Sequence, residues 1–159
     1  MKVRDIMLVL IAITMLMVYD VESSSHDVHL ECLALNIYHE AAGEPLIGQV
    51  AVAYVTLNRV AAKGWRSTVC GVVYQPDAFS WTDANKAIEY PDDYEVVYAL
   101  AKEVLYGDTY FDPTEGATFY HNLTTEPCWL PDVEKTVRID NHIFYRDTGK
   151  RSGGCYAQG

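Results

Sequence analysis

The sequence lacks the short motifs of several common enzyme classes. It contains no H-E-x-x-H zinc motif, because Glu40 is followed by Ala41, Ala42 and Gly43, and it contains no G-x-S-x-G nucleophile motif. Its four cysteines are too far apart for the C-x-x-C spacing of zinc or thioredoxin-like sites. We therefore expect no resident metal and no cofactor.

Basic residues are also scarce. The chain carries 12 Lys and Arg against 22 Asp and Glu, which gives a formal net charge of -10. Binding to phosphates needs clustered Lys and Arg, so the charge argues against a nucleic-acid partner. With 159 residues, 50% hydrophobic and 21% charged, and no internal repeat, the chain is expected to contain one globular domain and to be a monomer.

Long apolar runs are absent except at the N-terminus. Lys2 and Arg4 precede an almost unbroken apolar run from Ile6 to Tyr19. This layout is typical of a signal peptide, and the run is shorter than the roughly 18 to 20 residues of a transmembrane helix. We expect residues 1–25 to be a signal peptide or signal-anchor segment with transient membrane contact. The domain of residues 26–159 is then exported to the periplasm or cell wall, and an uncleaved membrane tether is the alternative.

Export bears on the cysteines. Their number is even, and cysteines of exported proteins commonly form disulfides. The four residues Cys32, Cys70, Cys128 and Cys155 can form two disulfides in three different pairings. The alternative is that they are buried free thiols.

Apolar residues recur at helical spacing in three stretches of the chain. The first stretch carries the stripe Leu30, Leu33, Ile37 and Ala41. Between the second and third stretches the periodicity fades, which predicts a long loop beside a cleft. The predicted elements are helices over 27–42, from Pro45 to about Val60, and from a cap at Asp92 or Asp93 to Gly107, a loop over 63–91, and strands over 117–120 and 139–145. The fold class is therefore α+β, mainly α, with a small β and loop lobe.

Glu40 is the first candidate for chemistry. It follows Leu33 by seven residues and Ile37 by three, so its side chain falls within the apolar stripe of the first helix. Burial disfavours the charged form of a carboxyl group, so a glutamate in this position is either partnered or protonated. A protonated carboxyl group is what acid catalysis at a glycosidic oxygen requires. The alternative is a structural glutamate paired with a basic residue such as Arg59.

Histidines and aromatic residues supply further candidates. His39, His121 and His142 with Glu40 offer a zinc site for amide hydrolysis, but their spacing does not favour one. Ser80 lacks the context of a nucleophile and is better interpreted as a polar residue of a cleft. Aromatic rings beside polar groups often bind sugars, although most aromatic residues in any domain belong to the core.

Several segments of the chain are specific enough to compare with a known family. The most specific segment is LALNIYHEAAGEPLIGQVAVAYVTLNRV, residues Leu33–Val60. The later segments are VCGVVYQPDAFSWT (Val69–Thr82), GATFYHN (Gly116–Asn122), PCWL (Pro127–Leu130) and RIDNHIFYR (Arg138–Arg146). These segments, in this order, resemble the SleB-like cell-wall hydrolases, a family that includes spore-cortex-lytic enzymes and phage lysins.

The resemblance implies a lysozyme-like catalytic domain that degrades peptidoglycan glycan strands. In such a domain Glu40 protonates the bond between N-acetylmuramic acid and N-acetylglucosamine, as the general acid and base of a lytic transglycosylase. A zinc-dependent N-acetylmuramoyl-L-alanine amidase and an inactive wall-binding module are the alternatives. The residues expected to bind substrate are Gln49, Ser80, Trp81, His121, Asn122, Trp129 and Tyr145.

The sequence departs from the commonest form of the family motif at four positions. Glu40 is retained, so a loss of catalysis is not implied. The four differences bear on where along the cleft the glycan strand binds, and on which neighbouring residue adjusts the acidity of Glu40. The commonest motif has Arg, Gln, His and Gly where this sequence has Ala42, Ala78, Phe119 and Asp140.

Overall fold

The computed structural model describes residues 28–84 and 86–150. The predicted signal segment lies outside the described residues. Within them, no helix is both long and apolar enough to cross a membrane.

Helices form the larger part of the described chain. Helix α1 covers residues 28–41, and the turn at residues 42–44 separates it from α2, Leu46–Ala61. Two short helices follow, α3 at Val69–Val73 and α4 at Ser80–Asp83, before the long helix α5 at Pro91–Tyr106. The predicted α+β, mainly α class is confirmed.

Two of the sequence-based predictions for the helical part need correction. The predicted loop over 63–91 contains α3 and α4, which are too short to show helical periodicity. The acids Asp92 and Asp93 lie in the first turn of α5 and do not cap it, because Tyr90 occupies the capping position. Gly107 does follow the last turn of α5, as predicted.

The sheet has three antiparallel strands in the order β1-β3-β2. They are β1 at Phe119–Asn122, β2 at Val133–Ile139 and β3 at His142–Asp147. The predicted strand over 139–145 is right for residues 142–145, which belong to β3, but it also includes the turn at residues 140–141 that joins β2 to β3. At that turn Asp140 has a φ of 47°, a left-handed conformation that favours glycine but that aspartate tolerates better than most residues.

The main core lies between the helices. The apolar stripe of α1 packs with side chains of α2, α3 and α5, and Leu33, Ala34 and Ile37 are fully buried. A smaller core joins α2 to the sheet through Ala51, Val55, Ala117 and Phe144. The end of α1 that carries Glu40 therefore lies where the helices meet the sheet.

A disulfide joins Cys32 of α1 to Cys70 of α3, 38 residues apart in sequence. Cys128 is disulfide-bonded as well, and the described residues include no free cysteine. The bond fixes α1, the helix that carries Glu40, to the segment that follows α2.

Candidate active site

Glu40 lies in the last turn of α1 and is partly exposed. The side chain of Gln49 binds the turn that follows α1: its Nε2 donates to the backbone oxygens of Glu44 at 3.0 Å and Ala42 at 3.4 Å. Gln49, predicted to bind substrate, thus stabilises the turn directly after Glu40.

Tyr120 is the hydrogen-bond partner of Glu40. The Tyr120 hydroxyl donates to Oε2 of Glu40 at 2.8 Å, across 80 residues of sequence. Its ring lies against Phe144, with centroids 5.6 Å apart, and edge-on to His142 at 5.2 Å. Burial of the hydroxyl, and then the nearby Glu40, raise the pKa of Tyr120 well above its ordinary value. The hydroxyl therefore stays protonated and remains a donor.

Arg59, in the last turn of α2, is a buried cation close to this pair. Its Nε donates to the backbone oxygen of Thr118 at 2.7 Å, and its guanidinium carbon lies 4.2 Å from the Trp65 ring centroid and 4.7 Å from that of Phe79. Burial lowers the pKa of Arg59 to about 10, against the opposing effects of Tyr120 and Glu40. Arg59 therefore stays positively charged at neutral pH.

The alternative in which Glu40 forms an ion pair with Arg59 is not what the structure contains. Among residues 28–84 and 86–150 the ion pair present is Arg146–Glu134, which is exposed and has an N–O distance of 3.4 Å. Glu40 instead accepts a hydrogen bond from Tyr120. Arg59 interacts with Glu40 electrostatically, without forming an ion pair with it.

Trp81 is a core residue, and the prediction that it presents a face to sugar is wrong. Its side chain is only 5% exposed. The indole Nε1 donates to Oδ1 of Asn36 at 2.9 Å, and the His39 ring stacks on the indole with centroids 4.5 Å apart. Asn36 in turn donates to the Thr56 hydroxyl at 3.1 Å, so Trp81 completes a buried polar network between α1, α2 and α4.

His121, Trp129 and Tyr145 lie in contact with one another. Nε2 of His121 lies 2.9 Å from the Tyr145 hydroxyl, and the two rings are stacked with centroids 5.4 Å apart. Trp129 packs edge-on against both rings, at 5.9 and 5.6 Å. Successive side chains of a strand point to opposite faces, so His121 lies on the sheet face opposite to Tyr120 and Glu40.

The other two predicted substrate residues are exposed. Ser80 is the first residue of α4 and is open to solvent. Asn122 ends β1, and its Oδ1 accepts hydrogen bonds from the backbone nitrogen and the hydroxyl of Thr124, at 3.0 and 2.6 Å. That oxygen therefore stabilises the turn after β1.

The described residues contain no group of three or more His, Cys, Asp or Glu side chains arranged to hold a metal ion. His39 stacks on Trp81, while His121 and His142 lie on β1 and β3. The zinc site that the three histidines and Glu40 suggested is therefore not assembled in this part of the chain.

Sequence reasoning missed Tyr120 as a partner of Glu40. Tyr120 stands in a segment that resembles the family, but nothing in its spacing relates it to a residue 80 positions earlier. The sequence offered one signal. Successive side chains of a strand point to opposite faces of the sheet, so Tyr120 lies on the face opposite to Phe119 and His121. Only the packing of β1 against the end of α1 shows which face meets Glu40.

Known proteins resemble this chain over most of its length. The family model described as Cell Wall Hydrolase matches residues 43–145, a range that begins three residues after Glu40. The spore cortex-lytic enzyme of Halalkalibacterium halodurans is 35% identical over 126 residues, which cover 79% of this chain and 37% of that protein. The spore cortex-lytic enzyme of Bacillus cereus is 35% identical over 122 residues, 76% of this chain and 44% of that protein. The chain thus spans about two fifths of the length of these curated relatives.

A solved structure agrees with the fold. The catalytic domain of the germination-specific lytic transglycosylase SleB from Bacillus anthracis superposes with a TM-score of 0.64 at 33% identity, over 74% of this chain and 93% of that one. The match confirms the expected lysozyme-like arrangement of helices with a small sheet. On the family model and these relatives together, the chain belongs to the cell wall hydrolase family.

Proposed function

We propose that this protein cleaves peptidoglycan glycan strands between N-acetylmuramic acid and N-acetylglucosamine, as a lytic transglycosylase with Glu40 as general acid and base. The observation that carries the proposal is the setting of Glu40. Its carboxyl group is partly exposed at the end of α1, accepts a hydrogen bond from Tyr120, and lies near the buried cation Arg59.

The first step is proton transfer from Glu40 to the glycosidic oxygen. The bond between that oxygen and the anomeric carbon of muramic acid breaks, and the bonding electrons leave with the protonated oxygen. The resulting Glu40 carboxylate is stabilised by the Tyr120 hydroxyl and by the charge of Arg59, because both favour a negative charge.

The second step returns the proton. The 6-hydroxyl of the same muramic acid attacks its own anomeric carbon, and the Glu40 carboxylate accepts the hydroxyl proton. The product is a 1,6-anhydro end, and Glu40 is restored for the next cycle. One protein carboxyl group suffices for both steps, which suits a site in which a single Glu is held by Tyr120.

Hydrolysis is the closest variant of this proposal. A two-carboxylate glycosidase needs a second acid about 5 to 9.5 Å from the first. The sequence offers Asp77 and Asp83 for that role, and both are solvent-exposed. The relative from Bacillus anthracis, whose name states lytic transglycosylase, supports the single-acid mechanism.

Mass spectrometry of purified peptidoglycan digested by the full chain tests the proposal. We expect muropeptides with anhydro ends, each lighter by one water than the product of hydrolysis. Reducing ends instead would establish hydrolysis, and free stem peptides would establish an amidase. If the digest contained no new products, the protein would be an inactive wall-binding module. Cleavage should also persist in EDTA, whereas loss on chelation with recovery on adding zinc would favour the amidase.

A further inference from the structure

A cavity of about 460 Å³ lies beside the end of α1. Side chains of α1 form one side, and the segment that leads into α5 forms the other. Its lining includes both signs of charge, two tyrosine rings and an imidazole, from Tyr38, His39, Lys86, Glu89, Tyr90 and Asp93.

The wall of this cavity is fixed to α1 by hydrogen bonds. The buried Tyr38 hydroxyl accepts from the backbone nitrogens of Glu89 at 3.1 Å and Tyr90 at 3.0 Å. The Tyr38 ring also packs edge-on against Tyr94 of α5, with centroids 5.8 Å apart. The segment before α5 is therefore held at a defined distance from α1, and the cavity is a built feature of the fold.

The cavity adjoins the Glu40 site but is separate from it. At about 100° per residue, Tyr38 and Ala42 lie on one face of α1, Glu40 is turned well away from them, and His39 lies between. His39 and Ala42, which line the cavity, are one and two residues from Glu40 in sequence. The cavity is therefore next to the end of α1 at which we propose that a glycan strand binds.

The charges in the cavity suit a ligand that carries both carboxylates and an amine. Lys86, Glu89 and Asp93 are all exposed, and none of them takes part in the ion pair found in the described residues. Burial, and then the charge of Lys86, lower the pKa of His39, so its imidazole is neutral at pH 7. Lys86 can pair with a carboxylate of the ligand, and Glu89 and Asp93 can pair with its amine. The Tyr90 ring offers an apolar surface.

We propose that this cavity binds the stem peptide of peptidoglycan, the short acidic peptide that branches from the muramic acid beside the scissile bond. The inference rests on the proposed glycan cleavage at Glu40 and adds a second contact with the same substrate. The stem peptide carries several carboxylates and, in its third residue, a free amine. Its capture fixes the register of the strand, because only muramic acid bears this branch.

The first experiment compares two substrates. Glycan strands with stem peptides and strands stripped of them by an amidase are digested by wild type, by Lys86→Glu and by Lys102→Glu, which makes the same charge change at an exposed position of α5. We expect Lys86→Glu to raise KM about fivefold on stem-bearing strands and to leave stripped strands unaffected. Lys102→Glu should change neither. An equal effect of Lys86→Glu on both substrates, or no effect on either, would overturn the inference.

The second experiment separates this inference from the proposed function. The soluble tripeptide Ala-γ-Glu-diaminopimelate is titrated into the full chain while the NMR signals of the His39 ring are followed. The signals should shift in wild type and in Lys102→Glu, and the shift should be lost in Lys86→Glu. If wild type cleaved no glycan, the proposed function would fail, while peptide binding at His39 would still decide the inference. No shift in wild type would refute it.

Discussion

At the scale of single residues, the proposed catalysis depends on how Glu40 is held. The Tyr120 hydroxyl is placed by a sheet that packs against α2, and it donates to Glu40 at 2.8 Å. Gln49 stabilises the turn that follows the acid. A general acid must sit within hydrogen-bond reach of its target, so these neighbours matter through position as much as through charge.

Tyr120→Phe tests this positioning. We expect kcat to fall about tenfold with KM nearly unchanged, because a hydrogen bond to a charged group is worth roughly 1.5 kcal/mol and this one acts when the carboxylate forms. Tyr54→Phe is the matched control, since its hydroxyl also donates a hydrogen bond, at 2.7 Å to the backbone oxygen of Tyr110, without touching Glu40. A variant Tyr120→Phe with the kinetics of Tyr54→Phe would show that the hydroxyl is dispensable.

Sequence reasoning reached Glu40 but misjudged some of its neighbours. Glu40 is recognisable because a carboxyl group in an apolar helical stripe breaks a strong pattern. Trp81 gave no such signal, since an aromatic residue in a polar segment can be a sugar platform or part of the core, and only its 5% exposure decides. Tyr120 requires knowledge of how distant segments pack.

At the scale of elements, two links hold the site together, the disulfide and the turn between β2 and β3. The disulfide fixes α1 to α3. The turn brings Asn141 to the far side of the α1–α2 connection, where its Nδ2 donates to Oε1 of Glu44 at 3.2 Å. Sequence periodicity found α1, α2 and α5 because each is long, whereas β2 mixes charged and apolar residues and escaped detection.

Removal of the disulfide should weaken the whole domain. For Cys32→Ala/Cys70→Ala we expect the free energy of unfolding to fall by about 3 to 4 kcal/mol, since the bond closes a loop of 38 residues that would otherwise be free in the unfolded chain. Urea unfolding without reductant measures the loss. After full reduction of both proteins the gap should close, and equal stability before reduction would contradict the expectation.

The β2–β3 turn should give the domain a pH-dependent stability. A hydrogen bond with Glu44, then burial, then the Glu44 charge raise the pKa of Asp140 above its ordinary value near 3.8. A raised pKa in the folded state means that the contribution of Asp140 to stability is fully present below the unfolded value and is lost as the pH rises through the folded one.

Asp140→Asn isolates this effect, because the amide cannot ionise. Thermal unfolding should give the variant a higher Tm than wild type at pH 7 and an equal Tm at pH 3. In a Glu44→Gln background the advantage at pH 7 should disappear, since the partner carboxylate is gone. An advantage that stays constant between pH 3 and pH 7 would mean that repulsion between these carboxyl groups is not its cause.

At the scale of the whole molecule, the proposed substrate, peptidoglycan, lies outside the cytoplasm, and we propose that residues 1–25 carry the domain there. From its number of residues, the apolar run from Ile6 to Tyr19 would span about 21 Å if it were helical, short of the roughly 30 Å hydrocarbon core of a bilayer. Its residence in the membrane is then temporary.

Expression in bacterial cells with and without residues 1–25 tests the export proposal. The full chain should lower culture turbidity, whereas the shortened chain should accumulate without lysis. N-terminal sequencing of the exported product shows whether the segment is removed. Equal lysis by both forms, with no other lysis protein present, would show that this segment is not the export signal.

The central claim is that Glu40 supplies the proton for glycan cleavage, and Glu40→Gln tests it most directly. The amide is nearly the same size as the acid but cannot donate that proton, so cleavage of purified peptidoglycan should fall by more than about 100-fold while Tm stays near that of wild type. Glu31→Gln, an exposed change on the same helix, should keep full activity. A Glu40→Gln protein that retains cleavage within about threefold of wild type would contradict the account.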